Sequence, residues 1–146
     1  MRIIEIEELF KKDSTLDQVL DKCQEDFDRI DYWSQVRKNN LTDNSAEIGK
    51  ALNELSGCYS NLRTVLGIAE TEKKNRHIRF KESLRIEIEK EGGKYVDSKA
   101  EVQASANVVQ FRRVRNIINA YVESCDKHIL TLQSILKDLS KDYNHS

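Results

Sequence analysis

Apolar side chains recur along most of this chain at alternating spacings of four and three residues, the rhythm of a stripe on one face of a helix. Leu16, Leu20, Cys23, Phe27 and Ile30 open the pattern, and Tyr32, Trp33 and Val36 extend it. Ile48, Leu52, Leu55, Tyr59, Leu62, Leu66 and Ala69 take it up again. The stripe lapses through the charged stretch Glu70–Arg79, resumes at Phe80, Leu84 and Ile88, and stops at Gly92–Gly93. The longest run follows: Ala104, Val108, Phe111, Arg115, Ile118, Val122, Cys125, Ile129, Leu132, Leu136, Leu139 and Tyr143, with Arg115 its one charged member. A helix of about forty residues is about 60 Å long, so its apolar face needs another long helix, a second copy of the chain, or both.

Start and stop signals frame these runs. Thr15 with Gln18, Asn44 with Glu47, and Ser98 with Glu101 each read as a capping box. Asn39–Asn40 suits a helix end. Leu84–Val96 stays open between continued helix with a loop and a small β-hairpin arm at 84–97, because Arg85-Ile86-Glu87-Ile88-Glu89 alternates like a strand before the double glycine. The expectation is an all-α single domain over 1–146. An acidic N-terminal helical segment occupies 1–40, and a long antiparallel helical hairpin with coiled-coil heptads occupies 44–141.

Composition agrees: 34% of residues are charged, proline is absent and glycine occurs five times, which suits helices better than a turn-rich sandwich or barrel. Residues 1–47 carry 7 basic and 12 acidic side chains, a net of −5, leaving +4 for the rest of a chain whose total is −1. An anionic ligand should therefore prefer the middle and C-terminal portions. No signal peptide is apparent and no apolar run would span a bilayer, so a cytoplasmic setting with reduced Cys23, Cys58 and Cys125 is expected.

Two basic clusters stand out. Lys73, Lys74, Arg76, Arg79 and Lys81 fall within nine residues with His77 among them, and Arg112, Arg113 and Arg115 follow Phe111. A fold-back near Gly92–Gly93 sets residues summing to about 185 opposite one another, placing Arg112 near Lys73 and Arg115 near Glu70. The clusters would then merge into one band, with only Glu70 and Glu72 to offset eight cations. One reading is a solvated, salt-bridged surface; the other is a phosphate-binding track. Tyr95, beside the glycine pair, is the freest candidate for base stacking, since Phe80 and Phe111 fit the core stripe.

Other chemistry finds little footing. Cys125 and His128 lie one turn apart, but four zinc ligands are not in view, and no glycine-rich phosphate loop frames Gly92–Gly93. No metal, no cofactor and no catalytic constellation is expected.

The basic run Lys73–Lys81, the interruption Glu91-Gly92-Gly93-Lys94-Tyr95 and the helix ending Ile129-Leu130-Thr131-Leu132-Gln133-Ser134-Ile135-Leu136-Lys137 together resemble the small helical UvsY-type recombination mediators of tailed phages, over roughly residues 45–140. The resemblance implies an oligomeric, single-stranded-DNA-binding accessory protein in the host cytoplasm that helps load a recombinase. Phosphate contacts would fall on Lys73, Lys74, Arg76, Arg79, Lys81, Arg112, Arg113 and Arg115, with Tyr95 beside them. Homo-oligomerisation is expected through Ile118, Val122, Ile129, Leu132, Leu136 and Leu139. The competing expectation is a helical module that binds a host or scaffold protein and no nucleic acid, through the acidic N-terminal helix and an exposed Trp33 or Tyr32.

Overall fold

The computed structural model describes residues 2–39 and 44–145, with side chains as far as Lys141. It is all-α: α1 (Ile3–Phe10), a 3-10 turn (Asp13–Thr15), α2 (Leu16–Lys38), α3 (Ser45–Lys90), α4 (Asp97–Asn107) and α5 (Val109–His145). No described residue is in a strand, so the stretch after Leu84 is helix to Lys90 and then a turn rather than a hairpin arm. No helix among the described residues is long and apolar enough to cross a membrane. Of the stop expected at Asn39–Asn40, Asn39 is the C-cap of α2, while Asn40 and the side chain of Tyr143 lie outside the described residues.

Three helices share the main core. The α3 and α5 helices run antiparallel: Arg115 meets Glu70 at 2.8 Å, and further along the Cys125 thiol donates to the Leu55 carbonyl at 3.2 Å. The α2 helix lies in the groove between them, antiparallel to α3 and parallel to α5. Trp33 Nε1 donates to Glu54 at 2.6 Å on one side; on the other Phe27 stacks on Tyr121 with centroids 4.1 Å apart. The stripes read from the sequence lie on the buried faces, with Cys23, Ile30, Leu55, Leu62, Ile118 and Cys125 almost wholly sequestered; on α2 Val19 is buried more deeply than the expected Leu20. The second half of α3 runs past the end of α2 and pairs with α4 instead, where Ala100 and Ala104 are the buried residues of α4. The molecule is thus a three-helix bundle carrying a two-helix arm.

Several local expectations fail for identifiable reasons. Thr15 makes no side-chain cap; its hydroxyl donates to the Leu9 carbonyl at 2.6 Å and the Lys12 carbonyl at 3.1 Å, tying α1 to the start of α2. The acidic segment is thus divided into two helices, α1 forming where Ile6 and Phe10 bury a face against α2 and α3. Ser98 does not cap either, because α4 already starts at Asp97, and Glu101 is drawn across to Lys81 and His77. The long C-terminal run is two helices. Val108 leaves helical geometry (φ −105°, ψ 17°), which lets α4 stay on the arm while Phe111 turns into the bundle against Phe10. Trp33 is 3% exposed, filling the α2–α3 seam rather than offering a docking surface, whereas Tyr32 is exposed.

Two signals hold. Asn44 Oδ1 accepts from the amides of Ala46 (2.9 Å) and Glu47 (3.3 Å), so α3 has the cap its sequence announced. At the other end Gly92 adopts φ +79°, with Gly92 N–H donating to the Glu89 carbonyl and Gly93 N–H to the Ile88 carbonyl, a left-handed stop that a residue with a Cβ would resist.

Candidate nucleic-acid interface

The fold-back brings the two basic clusters to the same level of the molecule in the anticipated register, since Arg115 does meet Glu70. It does not join them into one strip. Side chains one residue apart on a helix point about 100° apart, so each cluster is divided among faces with different neighbours.

Arg76 points inward. Its side chain is 12% exposed, its guanidinium lies 4.8 Å from the Phe111 ring centre, and it donates to the Asp13 carboxylate and the Phe10 carbonyl. Arg113 leans toward α2 and pairs with Asp17 at 2.8 Å. Arg79 pairs with Glu72 at 2.6 Å. Lys81 bridges Asp97 (2.8 Å) and Glu101 (2.9 Å), and those hydrogen bonds raise the pKa of its ammonium while lowering that of both carboxyls. Arg115, on the core stripe, is half-buried against Glu70. The expectation that only two carboxylates face eight cations is therefore wrong: Asp13, Asp17, Asp97 and Glu101 join Glu70 and Glu72. The four additions lie outside either cluster's own helix and arrive only through packing.

Lys73, Lys74 and Arg112 are left. Among the described residues none has an ion-pair partner, and all three line one open groove of about 630 Å³ between the second half of α3, α4 and the start of α5. Arg112 reaches across the α4–α5 break, its Nη2 3.4 Å from the Ser105 carbonyl. Thr71, His77 and Ser105 also line the groove, and His77 Nε2 sits 2.7 Å from Glu101. Glu70 and Glu101 lie on its wall, but Arg115, and Lys81 with His77, already engage them. His77, already noted among the basic cluster, stands four residues after Lys73 and three after Lys74, on the same helical face.

Of the aromatic candidates, Phe111 is 1% exposed and Phe80 half-buried, as core positions should be. Tyr95 is half-buried on the arm. Its hydroxyl donates to Asp97 at 3.1 Å and the Arg85 guanidinium lies 5.7 Å from its ring centre, so the ring sits apart from the Lys73–Arg112 groove.

The six positions expected to drive self-association divide as well. Ile118, Val122 and Leu132 are buried inside the chain's own bundle. Ile129, Leu136 and Leu139 are partly buried against the same core.

The cysteines are packing residues. Burial pushes the Cys23 and Cys58 thiols up to about 12 and Cys125 to about 11, with the Asp26 carboxylate adding to each, which keeps all three protonated. His128 stands 2.6 Å from Arg37, and both burial and that guanidinium lower its pKa. Among the described residues no group of three or more His, Cys, Asp or Glu side chains could hold a metal ion.

No known protein family, no curated protein and no solved structure matches the chain.

Proposed function

We propose that this chain is a non-enzymatic helical accessory protein that binds the phosphates of single-stranded nucleic acid in the groove of Lys73, Lys74 and Arg112. The reading rests on one observation: three cations from two sequence clusters, none held by a carboxylate among the described residues, share a groove with hydroxyls and an imidazole. The five paired cations flank it and contribute little attraction, since each is matched by a carboxylate. Three phosphate contacts correspond to a log–log salt slope of about −2 on a single strand, against roughly −6 had all eight been free.

Fluorescence anisotropy with a labelled single strand across a salt series tests this. Lys74→Gln or Arg112→Gln should weaken binding severalfold and reduce the slope by about 0.7. Asp17→Asn, which frees the exposed Arg113, should strengthen binding and steepen it. Affinity that ignores salt, or survives both glutamine substitutions together, would count against phosphate binding. Assembly into an oligomer and loading of a recombinase are the finer form of the proposal, drawn from the UvsY-type resemblance; light scattering reads the first.

A second reading, a protein-binding module, has its own observation. The arm exposes Ile78, Ile86, Val96 and Val102 to solvent, more apolar surface than two short helices need leave open. Charge reversal at Arg112 and Arg113 would leave such binding intact.

A further inference from the structure

Beside the cationic groove lies a surface of different character, and Arg112 belongs to both. On the outer face of α5, Val109, Arg112, Arg113, Asn116, Ile117 and Ala120 line a second, shallow depression of about 570 Å³. Their spacing of three, one, three, one and three residues makes one continuous helical stripe, about 17 Å from end to end. Its floor is apolar: Val109 and Ala120 are exposed and Ile117 is half-buried. The arginines flank it, Arg112 directed to the α4 side and Arg113 to the α2 side. The stripe ends at Glu123, whose carboxylate accepts from Asn119 at 3.2 Å.

Apolar side chains left open on an otherwise well-filled helix, walled by guanidinium groups and continuous with a groove of unpaired cations, suit a ligand that is anionic along one edge and flat and apolar along the other. We propose that this depression is the base-binding half of the site: a strand whose phosphates lie on Lys73, Lys74 and Arg112 crosses α5 at Arg112 and lays unpaired bases over Val109, Ile117 and Ala120, between the two guanidinium planes. Guanidinium planes and apolar side chains take base faces of any sequence. A duplex keeps those faces stacked inside and offers this floor nothing. The inference rests on the phosphate reading above and adds to it the reason the ligand is single-stranded.

The test compares two labelled strands of equal length and equal phosphate number, oligothymidylate and an abasic strand, by anisotropy at one salt concentration and along a salt series. The base-bearing strand should bind about tenfold more tightly, the scale of one base face removed from water, with the same salt slope. Val109→Ser, at an exposed position and checked for unchanged helicity by circular dichroism, should narrow that gap. Lys74→Gln should weaken both strands alike and preserve it. Equal affinity for the two strands overturns the base-binding half and leaves phosphate binding standing. Binding of neither strand overturns both. A gap that Val109→Ser leaves untouched overturns the assignment of bases to this depression.

Discussion

Asp26 is the one charged residue type buried among the described residues, held on α2 among Cys23, Cys58 and Asn61. Burial raises its carboxyl above the usual aspartate value; hydrogen bonds with Cys58 and Asn61 and the nearby Arg29 charge oppose that shift without cancelling it. The folded chain therefore holds this proton more tightly than the unfolded chain. The resulting stabilisation is complete below about pH 4 and disappears as pH rises through the folded-state value. Asp26→Asn keeps the shape and removes the buried charge. It should raise stability by about 1 kcal/mol at pH 7 and change little near pH 3, measured by urea denaturation at both pH values. The reverse linkage at Glu8, Asp97 and Glu101, whose carboxyls are lowered by lysine partners, falls on exposed side chains where solvent screens it. The sequence places Asp26 beside the stripe residue Phe27, but a polar neighbour of a core position is as often outside as in. Its burial comes from the packing of α2 on α3, where Cys58 and Asn61 meet it.

At the scale of the element, α3 is the clearest case of a helix whose local sequence and tertiary role agree. It has an asparagine cap, a regular stripe through its first half and a glycine stop. Its weak points are interior glycines. A Cβ built at Gly57 meets nothing within 4 Å, so Gly57→Ala should stabilise the protein by about 1 kcal/mol. Gly92→Ala should destabilise it by a similar amount, about 1 kcal/mol, because φ is +79° there. Chemical denaturation of the two variants, with an unchanged m-value, reads both. The stripe's lapse at Glu70–Arg79 is not a break in the helix: α3 runs through it while exchanging partners from α2 to α4. By contrast, the bend at Val108 carries no glycine or proline, and the heptad pattern passes through it unchanged. It arises because Ala104 must face the arm and Phe111 the bundle, a demand no local propensity encodes.

Across the whole molecule, burial is uneven. The three-helix section holds nearly all the large buried side chains, whereas the α4 side of the arm buries alanines and the facing Phe80, Leu84 and Ile88 stay half-open. The arm should therefore open locally before the bundle unfolds: amides of Arg79–Lys90 should exchange with deuterium faster than those of Leu52–Ala69, as hydrogen exchange under native conditions would show. The cationic groove sits where these two sections meet, so its wall from α4 belongs to the less stable part. What the sequence alone determined is the helical class, the faces that are buried, the reversal at Gly92–Gly93 and the antiparallel register that sets Arg115 on Glu70. These follow from periodicity and one turn, both local properties of the chain. Which cations stay free was decided only in three dimensions. Asp13, Asp17 and Asp97 reach Arg76, Arg113 and Lys81 because the 3-10 turn, α2 and α4 pack where they do, and periodicity carries no information about which neighbour covers a given face of a helix.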